Sequence, residues 1–157
     1  MGHRHRHGVY FERDDVVALA ERPWLSQAAQ RAATPDGVYL VRLARSVTLD
    51  LTRPWSETAQ VLAAAPRMPP MTSAVLSAMV SAFGRLPWVA TMHGFVVWGA
   101  DLVGLGRGEE GATTFRLEPP GAWFEAWRDT RVRSAPGGRP WVLRGPRGRP
   151  VDEALAE

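Results

Sequence analysis

His93 is the one histidine outside the N-terminal arm of this chain, and it is the residue type best suited to acid–base chemistry. An imidazole titrates near neutral pH, so a carboxylate that orients it can make it a general base. Asp101 follows His93 along the chain and Asp50 precedes it. One hypothesis is therefore a small cofactor-independent enzyme that uses His93 with Asp101 or Asp50 in an aromatic-lined pocket. The alternative is a core histidine satisfied by a backbone carbonyl.

A second group of residues with chemical potential is basic. Residues 130–151 hold six arginines and no acidic residue, and three acidic residues follow before the C-terminus. Guanidinium groups bind phosphates and carboxylates through paired hydrogen bonds. We predict a non-enzymatic binding, regulatory or assembly protein whose C-terminal segment contacts nucleic acid or an acidic protein surface. The predicted contact residues are Arg139, Trp141, Arg144, Arg147 and Arg149.

The C-terminal basic group contains a short motif. Residues 146–150 have the sequence Pro-Arg-Gly-Arg-Pro. This pentapeptide resembles the core of an AT-hook, which implies that its two arginines enter the narrow minor groove of A·T-rich DNA. The chain departs from the AT-hook pattern after residue 150, where Val151, Asp152 and Glu153 stand in place of further basic residues. The alternative interpretation is a solvated loop, or one paired within the chain.

The types of residue that are missing exclude several classes of site. The 157-residue chain has no Cys, Lys, Ile or Asn. Without Cys there is no disulfide, thiolate nucleophile or Cys-type zinc site, and without Lys there is no Schiff base or Walker lysine. The sequence nominates no metal site and no cofactor. The missing and abundant residue types together indicate a GC-rich genome, as in an actinomycete or one of its phages.

Composition also indicates a folded chain. Hydrophobic residues make up 45% of it, seven residues are Trp, and the formal net charge is +3. Such a composition argues against disorder, and the length suits one domain. No apolar run approaches 18 residues and the N-terminus has no hydrophobic signal segment. We therefore expect a cytoplasmic protein that does not contact a membrane.

The first half of the chain alternates helix and strand signals. Helices are predicted after Asp14, from Pro23 onward, and over residues 53–65. Apolar side chains recur at odd positions over residues 39–51, which predicts a strand or two strands with a kink near residues 44–46.

One predicted helix, over residues 72–83, is closed by Gly84 and carries a repeat of small side chains. Ser73, Ser77 and Ser81 recur every four residues, each followed by Ala. Such a stripe lets another backbone approach closely. It predicts tight packing within the chain, with a homodimer through this helix face as the alternative.

The second half of the chain is predicted to be mainly strand. Residues 88–98 are apolar on both faces and predict a central strand, residues 113–118 close a hairpin, and a short strand follows at residues 141–144. A helix carrying Trp123 and Trp127 lies between the last two strands. These two tryptophans and Trp88 and Trp98 are predicted core residues.

Three further tryptophans, Trp24, Trp55 and Trp141, each adjoin a proline. We expect them to pack at the edges of elements or to line a pocket or partner surface.

These signals together predict an α+β fold. The prediction is a single domain with a mostly antiparallel sheet covered by about four helices. Residues 1–12 are predicted to be a flexible basic and His-rich arm, residues 13–135 the α+β core, and residues 136–157 an Arg/Gly/Pro-rich segment with a short acidic tail.

Overall fold

The computed structural model describes residues 3–5, 8–10, 12–44, 46–65, 68–108, 111–133 and 140–146, the first two ranges by their backbone alone. The backbone of the N-terminal arm forms a small antiparallel pair, in which β1 (His3–His5) lies beside β2 (Gly8–Tyr10).

A five-stranded sheet organises the rest of the described chain. Its strands are β3 (Val38–Arg42), β4 (Leu86–Met92), β5 (Phe95–Arg107), β6 (Thr113–Glu118) and β7 (Trp141–Arg144). They lie in the order β6-β5-β4-β3-β7, and every neighbouring pair is antiparallel except the parallel pair of β3 and β4. The apolar strand β4 is therefore central, as its sequence predicts.

Four α-helices and one 3₁₀ helix complete the described fold. They are α1 (Arg13–Glu21), α2 (Gln27–Ala33), α3 (Trp55–Leu62), α4 (Pro70–Phe83) and the 3₁₀ helix (Ala122–Ala126). The helices α3 and α4 lie in the crossover that a parallel strand pair requires. The predicted α+β class, with a single domain and a mostly antiparallel sheet, is confirmed.

Both faces of the sheet are covered. On one face, Tyr39 and Val41 of β3 belong to a core cluster that includes Leu62 of α3 and Leu76 of α4. On the other face, the alternate residues of β3 pack in a second cluster with the 3₁₀ helix and the end of α2. Strand geometry sends successive side chains to opposite faces, which is why one short strand contributes to both clusters.

Two helix boundaries follow from local capping. The Oγ of Ser26 accepts from the backbone N of Ala29 at 3.1 Å, so α2 begins at Gln27 and not at Pro23 as predicted. Gly84 has a φ of 77° and ends α4 in the left-handed conformation, as predicted.

The predicted strand over residues 88–98 is two strands. His93 and Gly94 have φ values of 52° and 85°, and Met92 pairs with Phe95 across them. Two positive φ values are typical of a type I′ hairpin turn. His-Gly is a weaker turn signal than Asn-Gly, and the apolar residues on either side of it predict one continuous strand.

The strand predicted over residues 39–51 ends at Arg42. Leu43 donates one further backbone hydrogen bond to Thr91 O, and β4 then ends at Met92. Beyond that point no neighbouring strand among the described residues hydrogen-bonds to this part of the chain, so the alternating pattern continues in the sequence outside the described sheet.

Two of the three serines in the small-residue stripe of α4 are exposed. Leu76, Met79 and Val80 are the buried residues of this helix, whereas Ser77 and Ser81 are exposed. The predicted packing of the stripe within the chain is therefore wrong for these two positions, because the larger apolar side chains take the face toward the core.

Candidate functional site

His93 lies at the tip of the β4–β5 turn and its side chain is exposed. Asp101 lies six residues beyond Phe95 on β5, opposite Pro87. At roughly 3.3 Å per residue, that separation along the strand is about 20 Å. The strand geometry therefore keeps the imidazole and the Asp101 carboxylate apart.

Asp101 is fully buried and both of its carboxylate oxygens have partners. The indole Nε1 of Trp123 donates to Oδ1 at 2.6 Å, and Nη1 of Arg85 donates to Oδ2 at 2.9 Å. The carboxylate thus joins β5 to the 3₁₀ helix and to the α4–β4 connection.

Asp50 lies in the exposed loop before α3. Its Oδ1 accepts hydrogen bonds from Oγ1 of Thr52 at 2.6 Å and from the backbone N of Thr52 at 3.1 Å. Its Oδ2 lies 3.4 Å from Nε of Arg53. The hydrogen bond from the Thr52 hydroxyl, and after it the one from the Thr52 backbone, lowers the pKa of Asp50. These contacts order the entry to the helix. The three candidate catalytic residues thus lie in a turn, in the middle of a strand and in a loop.

The predicted C-terminal contact residues lie partly outside the described residues. Arg139, Arg147, Arg149 and the AT-hook-like motif beyond Pro146 are not described. Trp141 is 3% exposed and stacks on Tyr39 with the ring centroids 6.2 Å apart, so its indole is in the core. Arg144 lies on the same strand with its side chain on the opposite face of the sheet.

Arg144 reaches a groove between α2 and the edge strand β7. The groove has a volume of about 360 Å³. It is lined by Trp24, Leu25, Ser26, Gln27, Gln30, Arg133 and Arg144. Two of these residues are arginines and none is acidic. We call this site the Trp24–Arg144 groove.

Gln30 fixes the position of the Arg144 guanidinium. Gln30 is 4% exposed, and its Nε2 donates to Leu25 O at 2.9 Å, which leaves its Oε1 to accept from Nη1 of Arg144. Burial, and then the positive charge of Arg42, lower the pKa of Arg144. Among the described residues, neither Arg133 nor Arg144 forms an ion pair with a carboxylate. A partly buried guanidinium with a neutral partner and a cationic neighbour favours a bound anion.

Trp24 forms the aromatic part of the groove. Its side chain is 54% exposed, and the guanidinium carbon of Arg131 lies 4.5 Å from the ring centroid. Arg131 is itself held by Arg22 O and Ala20 O, at 3.0 and 3.1 Å. Backbone hydrogen bonds from Leu25 N to Arg131 O and from Arg131 N to Pro23 O, both 2.8 Å, fix the chain on either side of Trp24.

Part of this groove can be recognised from the sequence, and part of it cannot. Trp24 stands out in the sequence as a tryptophan beside a proline, and Arg133 and Arg144 belong to the basic group. Gln30 was not found, because a glutamine in a short helix resembles any exposed polar residue.

Comparison with protein-family models, with curated proteins and with solved structures gave no match. In the part of the chain that the structure describes, no helix is long and apolar enough to cross a membrane.

Proposed function

We propose that this protein is a non-enzymatic binding protein whose Arg-rich C-terminal segment, residues 136–157, contacts an anionic partner, either nucleic acid or an acidic protein surface. The observation that carries the proposal is the position of Arg144. This arginine is held by Gln30 beside Arg133 in a groove whose lining contains no carboxylate.

The way in which the segment joins the domain supports the proposal. The strand β7 pairs with β3 from Val41↔Trp141 to Val38↔Arg144. Gly145 and Pro146, the two residues described after Arg144, therefore lie at the edge of the sheet. A basic segment that starts from a fixed point can add phosphate or carboxylate contacts to those made in the groove.

The placement of the candidate catalytic residues favours binding over catalysis. General acid–base catalysis needs the base and its orienting carboxylate within hydrogen-bond reach. His93 is exposed in a turn, and the Asp101 carboxylate has two other partners.

The test is salt-dependent binding of the full chain to labelled nucleic acid and to polyglutamate, measured by fluorescence anisotropy. We expect affinity to fall steeply with salt for at least one of these anions. For duplex DNA, an Arg147→Ala, Arg149→Ala double variant should reduce the slope of log affinity against log salt by about two, since each lost phosphate contact contributes roughly 0.9.

The matched control is an Arg107→Ala, Arg116→Ala double variant. It removes the same charge from β5 and β6, at the sheet edge opposite β7. We expect this variant to keep the wild-type slope. If the protein binds none of these anions at low salt, the proposal is overturned.

A further inference from the structure

The Trp24–Arg144 groove combines an exposed aromatic ring with two guanidinium groups. We infer that it binds one nucleotide of a single-stranded nucleic acid, with the base stacked on Trp24 and the neighbouring phosphates on Arg133 and Arg144. The inference rests on the proposed function and narrows it from anions in general to unpaired nucleic acid.

The two arginines account for the phosphate. A guanidinium donates paired hydrogen bonds to phosphate oxygens, and Arg144 is already oriented by its contact with Gln30. Since Gln30 is buried and bonded to Leu25 O, the donor group is held before the ligand arrives. An anion here would also offset the electrostatic repulsion between Arg144 and Arg42.

The exposed tryptophan accounts for the base. Arg131 lies over the ring of Trp24, yet more than half of the side chain stays exposed. Bases stack on such rings with little regard to sequence, because every base has a π-face. The groove volume of about 360 Å³ falls within the range of about 300–1,000 Å³ typical of small-ligand sites.

The same geometry favours a single strand over the two other anionic partners. Bases in a duplex are stacked on one another, so a protein ring reaches a base face only after unpairing. An acidic peptide would satisfy the arginines but has no base to place on Trp24. We therefore expect tighter binding to single-stranded DNA than to a duplex of the same length or to polyglutamate.

The decisive experiment compares two labelled strands that carry the same phosphates. One is a dT 15-mer and the other is an abasic 15-mer, both titrated with the full chain by fluorescence anisotropy. Wild-type protein should bind the dT strand about tenfold more tightly, because the abasic strand offers nothing to stack. Trp24→Ala should remove that difference, and Trp24→Phe should restore most of it.

The arginines are tested on the same pair of strands. Arg133→Ala should weaken binding to both strands equally and reduce the salt slope by about 0.7, the value for one phosphate contact on a single strand. Arg116→Ala on β6 is the control for charge and should change neither affinity. Circular dichroism and thermal melting establish that each variant is folded.

The outcomes separate this inference from the proposed function. The stacking of a base on Trp24 is contradicted if the wild-type chain binds the dT and abasic strands equally. It is also contradicted if Trp24→Ala weakens binding to both strands by the same factor. In either case salt-dependent binding still supports an anionic partner. Tighter binding to the duplex or to polyglutamate likewise contradicts the stacking and still supports an anionic partner. If the wild-type chain binds no anion at low salt, both proposals fail.

Discussion

At the scale of single residues, Asp101 shows how a carboxylate that suits catalysis by type is used for structure. Its two oxygens accept from the Trp123 indole and from Arg85, residues separated from it by 22 and 16 positions. Arg85 is 62% exposed in its side chain, whereas the Asp101 side chain is 1% exposed. The guanidinium of this ion pair is therefore in contact with solvent, whereas the carboxylate is buried.

Replacing Asp101 by Ala should lower the free energy of unfolding by about 2–3 kcal/mol, since two hydrogen bonds to a charged acceptor are lost and the indole N–H is left unpaired. Urea unfolding measures the change. Asp36→Ala makes the same chemical change at an exposed turn and should stay within about 0.5 kcal/mol of wild type. Equal unfolding midpoints for the two variants would contradict a structural role for Asp101.

At the scale of elements, α4 is a 14-residue helix without a charged residue. Its stability depends on Leu76, Met79 and Val80, which pack on the core, and on its termini. The proline at the start suits the first turn, and Gly84 supplies the left-handed residue at the end. The exposed Ser77 and Ser81 leave the predicted homodimer through this face as an untested prediction.

The end of α4 offers a clean test of backbone conformation. A Cβ added at Gly84 would meet nothing within 4 Å, so Gly84→Ala tests the positive φ alone. We expect a loss of about 1 kcal/mol in the free energy of unfolding. Ser81→Ala, on the same helix, should be neutral or stabilising by up to about 0.5 kcal/mol. A Gly84→Ala variant as stable as wild type would show that the helix ends differently.

At the scale of the whole molecule, β7 makes part of the C-terminal segment belong to the folded domain. The predicted segment begins after residue 135, and two of its residues, Trp141 and Leu143, lie in the core cluster that spans α3, α4 and the sheet. Trp141 stacks on Tyr39, whose burial also raises the pKa of its phenol. Arg144 of the basic group is thus held at a fixed edge of the sheet.

Two tryptophans of contrasting exposure test this arrangement. Trp141→Ala should cost about 3–5 kcal/mol of unfolding free energy, because a buried ring is removed from the core. Trp24→Ala, at a side chain 54% exposed, should cost less than about 1 kcal/mol, near the contribution of one cation–π contact. Chemical denaturation of both variants measures these changes in unfolding free energy. A Trp141→Ala variant as stable as wild type would contradict the conclusion that β7 is part of the folded domain.

The sequence by itself determined the fold class and most of the elements. Periodicity and capping residues are local properties, so the helix closed by Gly84, the central apolar strand and the hairpin to β6 could be predicted. The missing Cys and Lys fixed which side chains remain for chemistry. The turn at His93 was missed because apolar strands on both sides hid a two-residue break.

Only the tertiary structure decided which distant residues meet. Gln30 and Arg144 lie 114 positions apart and come together because β7 pairs with β3 on the side that α2 covers. Asp101 and His93 are close in sequence, yet about 20 Å of extended strand, from Phe95 to Asp101, separates them. Spacing along the chain predicts contacts within an element, whereas strand order and the choice of sheet face create the groove.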